Sequence, residues 1–175
     1  MAPERITMNE TLFRTLDSPV GTLTLAGDGT VLTHLRMTDQ THPPAGRDTW
    51  RHAPTAFVDA VDQLHAYFDG ERTSFDLTLA MEGSIFQRSV WDALVEIPYG
   101  ETTSYGEIAR RVGKPGAARA VGLANGQNPI AIIVPCHRVI GADGSLTGYG
   151  GGLDRKVTLL ELERDHATPR LALRH

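Results

Sequence analysis

From Ile130 to Ile140 the chain runs Ile-Ala-Ile-Ile-Val-Pro-Cys-His-Arg-Val-Ile, an apolar stretch that delivers its only cysteine, Cys136, directly against His137 and Arg138. A stretch this apolar must be buried, so any fold open to the chain holds that cysteine at the margin of a core. A free thiol has a pKa of about 8.5, and a useful nucleophile needs cations, a general base or oriented dipoles beside it to favour the thiolate. His137 and Arg138 are placed to supply that help. The competing assignment is a small hydrophobe ending a buried strand, the commoner fate of a lone intracellular cysteine.

Other features act by exclusion. One cysteine makes neither an intramolecular disulfide nor a structural zinc cluster, and His34, His42, His52 and His65 lack a ligand spacing, so neither metal nor cofactor is expected. There is no run of about 18 apolar residues and no charged-then-apolar leader, which predicts a cytoplasmic protein without membrane contact. Residues 1–11 are expected to form a loose leader. The formal charge of -4 is unevenly shared: residues 1–83 hold 6 Lys/Arg against 12 Asp/Glu, whereas residues 84–175 hold 11 against 9. Between Ile108 and Ala142 stand Arg110, Arg111, Lys114, Arg119 and Arg138 with no acidic residue, a stretch on which a phosphate backbone can dock.

Residue patterning changes at the same place as the charge, dividing the chain into a small α/β unit, 1–83, and a mainly helical unit, 84–175. In the first, Leu12–Leu16, Gly21–Ala26 and Val31–Met37 alternate in polarity between Asp17-Ser18-Pro19 and Gly27-Asp28-Gly29, the pattern of an antiparallel meander. Residues 38–54 are expected to be loop. A helical stripe of Phe57, Val58, Val61, Leu64 and Phe68 follows, and Phe75 to Leu79 are expected to return as a strand. In the second unit, Ser84 and Gln87 have capping-box spacing ahead of Phe86, Val90, Leu94 and Ile97, and Ser104 with Glu107 opens a second, shorter helix. That helix, the turn Gly113-Lys114-Pro115-Gly116 and a third helix from Ala117 to about Asn125 have helix-turn-helix spacing, which generic helical hairpins share. A last helix from Leu153 to about Asp165 is expected to carry Leu153, Val157, Leu160 and Arg164 along one face, with Glu161 and Glu163 as ordinary solvated helix charges.

The third of these helices is built of small residues, Ala117, Ala118, Ala120, Gly122 and Ala124, around one cation, Arg119. It lacks the long polar side chains that read base edges, which favours shallow or minor-groove docking with Arg119 inserted, or else close packing on another helix. Behind the cysteine, residues 141–152 contain six glycines. No strand-to-helix dinucleotide unit surrounds them and no Gly-Lys-Ser/Thr ending follows, so they are not a nucleotide-cofactor loop.

Pro135-Cys136-His137-Arg138-Val139, preceded by Asn128-Pro129 and followed by Gly148-Tyr149-Gly150-Gly151-Gly152-Leu153 and Lys156, resembles the active-site signature of the O6-alkylguanine-DNA alkyltransferases. The likeness extends through Ile97-Pro98-Tyr99-Gly100-Glu101-Thr102, Ser104-Tyr105 and Ala117-Ala118-Arg119-Ala120-Val121-Gly122. It implies a ribonuclease-H-like first domain and a winged helix-turn-helix-like second one, in the compact bacterial form. Its activity would be the irreversible, stoichiometric transfer of a methyl or larger alkyl group from O6 of guanine, with O4-alkylthymine as a further substrate, to Cys136.

By that resemblance His137 deprotonates Cys136 through a water, Glu163 orients His137, and Asn128 braces the site. If a water is to bridge Cys136 and His137, they must sit at an irregular turn, which Pro135 suits. Tyr105 would stabilise the guanine leaving group and help rotate the nucleotide, and Arg119 would fill the space it vacates. Ala118, Ala120 and Gly122 would lie against DNA. Pro135, Val139, Tyr149 and Gly150 would wall the pocket, Lys156 would hold the glycine loop, and Gly150, where some members carry serine, would widen the pocket for bulkier groups. The partner would be duplex DNA, bound by a monomer needing no other protein. The alternatives are a helix-turn-helix regulator that binds DNA or lesions without chemistry, and a cysteine hydrolase that turns over repeatedly.

Overall fold

The computed structural model describes residues 10–41, 43–146 and 149–167, so most of the expected leader, His42 and Gly148 lie outside the described residues. Its first unit is a four-stranded sheet of β1 (Leu12–Leu16), β2 (Leu23–Gly27), β3 (Leu32–Met37) and β4 (Arg51–His52), in the order β3-β2-β1-β4. The three-strand meander forms with Leu12 opposite Gly27 and Leu23 opposite Met37. Local chemistry sets both turns. Pro19 follows the first residue of a turn closed by Gly21 N–H on Ser18 O at 2.9 Å, and Asp28 Oδ1 accepts from Thr30 and Val31 N–H at 2.8 and 2.7 Å. Gly27 admits no side chain, because a Cβ there would lie 2.0 Å from Val31 O.

Two expectations for this unit fail. The stretch 38–54 is not all loop, since it supplies β4, which pairs parallel to β1 and makes the sheet mixed. Residues 75–79 do not form a strand but meet β3 only through the single bridge Leu32 to Leu79. The reason lies in how the outer edge of β3 is shared. Leu32 exchanges bonds with Thr78 and Ala80 (both 3.0 Å), while Leu35 takes Pro129 O and gives its own carbonyl to Ala131 N–H (2.9 and 3.0 Å). Each segment holds too few rungs to propagate a ladder. The second of these contacts docks the start of the apolar run onto the first unit's sheet.

Helix α1 (Val58–Phe68) buries Ala60, Val61, Leu64 and Tyr67, with Val58 turned outward. In the second unit α2 (Ile85–Val95) carries the complete Ser84–Gln87 capping box, and its Trp91 Nε1–H donates to Ala124 O at 2.9 Å. A short parallel pair, β5 (Thr103–Ser104) and β6 (Val139–Ile140), flanks α3 (Tyr105–Arg111) and α4 (Ala118–Gly126). Ser104 caps α3 by accepting from Glu107 N–H, but the expected reciprocal bond is replaced: the Glu107 carboxylate turns to Arg110 and Arg111. Gly113, at φ 78°, ends α3 with Gly113 N–H on Arg110 O and Lys114 N–H on Ala109 O, a Schellman closure that aims the chain into α4. Helix α5 (Leu153–His166) completes the order.

The largest departure lies in α5. Its buried residues are Lys156, Leu159 and Glu163, whereas Leu153 is 48% exposed. The apolar stripe was the wrong face because the covered face carries two charged groups with dedicated partners. One core cluster, from Leu16 through Leu159, spans both units.

His34 on β3 shows the electrostatic cost of this packing. Its ring lies 5.1 Å from that of Trp50, and burial, with Arg36 adding to it, pulls its pKa down to about 4. The unfolded chain, with its histidine near 6.5, therefore binds more protons between those values, and stability falls as pH drops from about 6.5 to about 4. Urea midpoints measured across this window are expected to show that slope in the wild type and a shallower one in His34→Asn.

Candidate active site

The apolar run does not arrive as a strand. Ile133 N–H bonds Ala131 O at 2.7 Å around Ile132, whose φ is 72°, and Cys136 N–H bonds Val134 O at 2.8 Å around Pro135, at φ -81° and ψ 66°. These are two γ-turns, the second of the inverse type that proline favours. A single 3-10 turn, Cys136–Arg138, follows, so Cys136, His137 and Arg138 leave a tight bend instead of alternating across a sheet. A β-branched residue at positive φ is costly, and asparagines strap the bend. Asn128 Oδ1 accepts from Ile130 N–H at 3.0 Å and its Nδ2 donates to Val134 O at 2.8 Å; Asn125 Nδ2 reaches Cys136 O at 3.2 Å.

His137 is fully buried and its Nε2 lies 2.7 Å from Glu163 Oε2. A carboxylate only accepts, so Nε2 carries the proton and Nδ1 keeps a lone pair. Nδ1 is buried without a hydrogen-bond partner among the described residues. Glu163 is 1% exposed and receives four bonds: from His137, from Tyr67 Oη at 2.6 Å, and from Arg138 Nε and Nη2 at 2.8 and 2.9 Å. Burial alone would push its pKa up, but the hydrogen bonds from His137 and Arg138 and the charge of Arg138 hold it far below the usual carboxylate range. The imidazole is driven the other way: burial lowers the His137 pKa more than Glu163 raises it.

The thiol is 5% exposed, and burial raises its pKa despite smaller opposing contributions from Asn128, Lys156 and Tyr149. Of the kinds of help that His137 and Arg138 could supply, a cation beside the thiol is not one at rest. Arg138 is spent on Glu163 and on Ile97 O at 2.6 Å, and His137 rests neutral. At rest the site holds a neutral thiol, a neutral imidazole and an ionised Glu163–Arg138 pair. Nor is Glu163 solvated as an ordinary helix charge would be. Lys156 is wholly buried too, its Nζ 2.7 Å from Val139 O and 6.0 Å from the centre of the Tyr149 ring.

On the other face, Arg119 and Ala120 are exposed on α4, Ala118 and Gly122 are half-buried, and Tyr105 opens α3 close to Gly122. The basic stretch is less basic than its sequence: Arg110 and Arg111 pair with Glu107, and Arg138 faces inward. Two groups escaped sequence reasoning. Asn125 looked like the end of a helix, and Tyr67 stood outside the apolar stripe read for α1; the partners of both lie far away in the chain, where no local pattern shows them.

Family models now give this arrangement a context. The model described as 6-O-methylguanine DNA methyltransferase, ribonuclease-like domain, matches residues 11–81, and the one described as its DNA binding domain matches residues 85–165. A methylated-DNA--protein-cysteine methyltransferase of Mycolicibacterium paratuberculosis is 67% identical over 161 residues, covering 92% of this chain and 97% of its own. The chain belongs to the 6-O-methylguanine DNA methyltransferase family. Among solved structures, Mycobacterium tuberculosis OGT in complex with DNA superposes with a TM-score of 0.85 at 64% identity, covering 93% of this chain and 98% of that one. The Methanococcus jannaschii O6-methylguanine DNA methyltransferase keeps a TM-score of 0.58 at 26% identity.

Within this methyltransferase fold, Gly150 faces the first unit. A Cβ on it would lie 2.9 Å from Thr41 Oγ1, and Thr41 N–H already bonds Gly150 O at 3.1 Å. A serine here would press first on the Thr41 side chain, a route separate from pocket width. Gly150→Ser is expected to slow single-turnover reaction with O6-benzylguanine about three-fold, and the added change Thr41→Ala to restore it, as coupled neighbours do. A rate change that tracks alkyl size and ignores Thr41 would return the effect to the pocket.

Proposed function

We propose that this chain repairs DNA by moving the alkyl group of O6-alkylguanine irreversibly onto Cys136, once per molecule. The observation that carries this reading is the Glu163-held imidazole, with Nε2 committed and Nδ1 bare, beside a thiol bent out of a buried run. His137 Nδ1 takes the thiol proton through a water, which creates the thiolate only when it is needed. The sulfur attacks the alkyl carbon, the carbon–O6 bond breaks, and its electron pair passes to guanine, which is reprotonated. Tyr105 serves as donor to that leaving group. A neutral thioether gives neighbouring groups such as His137 or Lys156 no competent leaving group to displace, so the reaction ends there.

Substrate approach follows from the second unit. A base inside a duplex cannot meet a cysteine that is 5% exposed, so the nucleotide must rotate out, with Arg119 filling the gap and the small residues Ala118, Ala120 and Gly122 letting α4 sit close. Pro135, Val139, Tyr149 and Gly150 wall the receiving pocket, Asn128 braces it, and the boundary between the units falls at 83/84. We place the reaction in the cytoplasm, which keeps a lone thiol reduced; no helix among the described residues is long and apolar enough to cross a membrane. A lesion-binding regulator would need DNA contacts but no locked imidazole, and the site favours chemistry over that alternative.

Intact-mass and peptide mass spectrometry after mixing the protein with excess duplex bearing one O6-methylguanine is expected to find one added methyl on Cys136 and an equal amount of restored guanine. Cys136→Ser is expected to bind the same duplex and stay unmodified. Continuing product release by an unmodified protein would mean a turnover enzyme instead. Arg119→Ala is expected to slow repair in duplex about ten-fold or more while leaving reaction with free O6-benzylguanine within about two-fold, because only the duplex requires a base to be rotated out. Equal losses on both substrates would undo the assignment of Arg119.

A further inference from the structure

The four bonds to Glu163 are unequally shared. Among the described residues Oε1 receives only Arg138 Nε, whereas Oε2 receives His137 Nε2 at 2.7 Å, Tyr67 Oη at 2.6 Å and Arg138 Nη2 at 2.9 Å. An sp² carboxylate oxygen offers about two in-plane lone pairs, so three donors on one oxygen compete. Tyr67 is the donor that comes from the other unit, in the last turn of α1 and 96 residues away in the chain. Packing does not call for its hydroxyl. The ring is wholly buried against Phe68, Phe75 and Tyr99, with centroids 5.1, 5.4 and 6.2 Å away, and phenylalanine would fill that site with no polar atom to satisfy. The same three rings fix the direction in which the hydroxyl points.

We propose that Tyr67 is a positioning residue for alkyl transfer: its hydroxyl shares Glu163 Oε2 with His137, so that the first unit sets both the plane of the carboxylate and the strength of its hold on the imidazole. The proposal rests on the alkyl-transfer reading above. Burial and the neighbouring carboxylate raise the Tyr67 pKa well above its ordinary value, so the phenol remains a donor throughout the working range. Among the described residues, the charged groups acting on His137 are Glu163 and Lys156 from α5 and Arg138 from its own turn, and Tyr67 from α1 acts through the shared oxygen. Among these Tyr67 is an uncharged donor that draws on the carboxylate oxygen which would stabilise an imidazolium. It therefore helps keep His137 neutral, and a neutral imidazole is the form able to accept the thiol proton.

Tyr67→Phe isolates this effect. Its single-turnover rate is expected to fall about ten-fold on both methylated duplex and free O6-benzylguanine, the scale of a small misplacement of a reacting group. The acid limb of its pH–rate profile is expected to move to higher pH, because Oε2, relieved of the phenol, holds the imidazolium more firmly. Duplex affinity should stay near wild type, and the thermal midpoint should fall by about a few degrees, the scale of losing one donor to a buried carboxylate. Phe68→Leu disturbs the same ring cluster without removing the donor and should keep the wild-type acid limb. A limb that does not rise in Tyr67→Phe, or that rises equally in Phe68→Leu, overturns the assignment. A wild-type protein that transfers no alkyl group at all would overturn the underlying reading instead.

Discussion

An ionised carboxylate in a core costs several kcal/mol to desolvate, and it survives only where enough donors converge on it. Glu163 meets that condition with donors from distant parts of the chain: Arg138 and His137 from the active turn, and Tyr67 from the sheet unit. Arg138 in turn ties Ile97 O, just beyond α2. The relative placement of α1, α2, α5 and the active turn therefore satisfies one buried charge, and misplacing any of them would leave that charge short of partners. The same convergence selects the His137 tautomer, so the constraint that stabilises the fold also prepares the base.

The backbone beneath it works against local preference. Left-handed Ile132 costs on the order of 1–3 kcal/mol, and a straight strand would have relieved it. A straight strand would also have sent Cys136 and His137 to opposite faces. Asn128, Asn125 and Lys156 bond the carbonyls of Val134, Cys136 and Val139, one after another around the bend. The bend is thus held by side chains where ladder bonds are missing.

Much of this was legible in the sequence wherever local chemistry decides. The meander turns, the Ser84 capping box and the glycine stop after α3 each follow from a few adjacent residues. The family motif supplied Cys136, His137 and Glu163 together, and the structure brings the last two within 2.7 Å. Non-local facts escaped. Strand β4 is two residues long and depends on a partner some 40 positions away. The buried face of α5 was misassigned because periodicity counts apolar side chains, whereas Lys156 and Glu163 are buried by partners that no local window contains. Tyr67 was hidden for the same reason, since its hydroxyl matters only across 96 residues.

The burial that raises the Cys136 pKa has a further consequence, for the shelf life of the protein. Peroxides and stray electrophiles attack thiolates, and a cysteine that is 5% exposed, its thiol held toward the protonated form by burial, presents them with less. A molecule able to act once loses everything if its sulfur is oxidised before a lesion arrives. A thiol held protonated by burial reacts slowly with such agents, and that slowness preserves the single reaction each molecule carries.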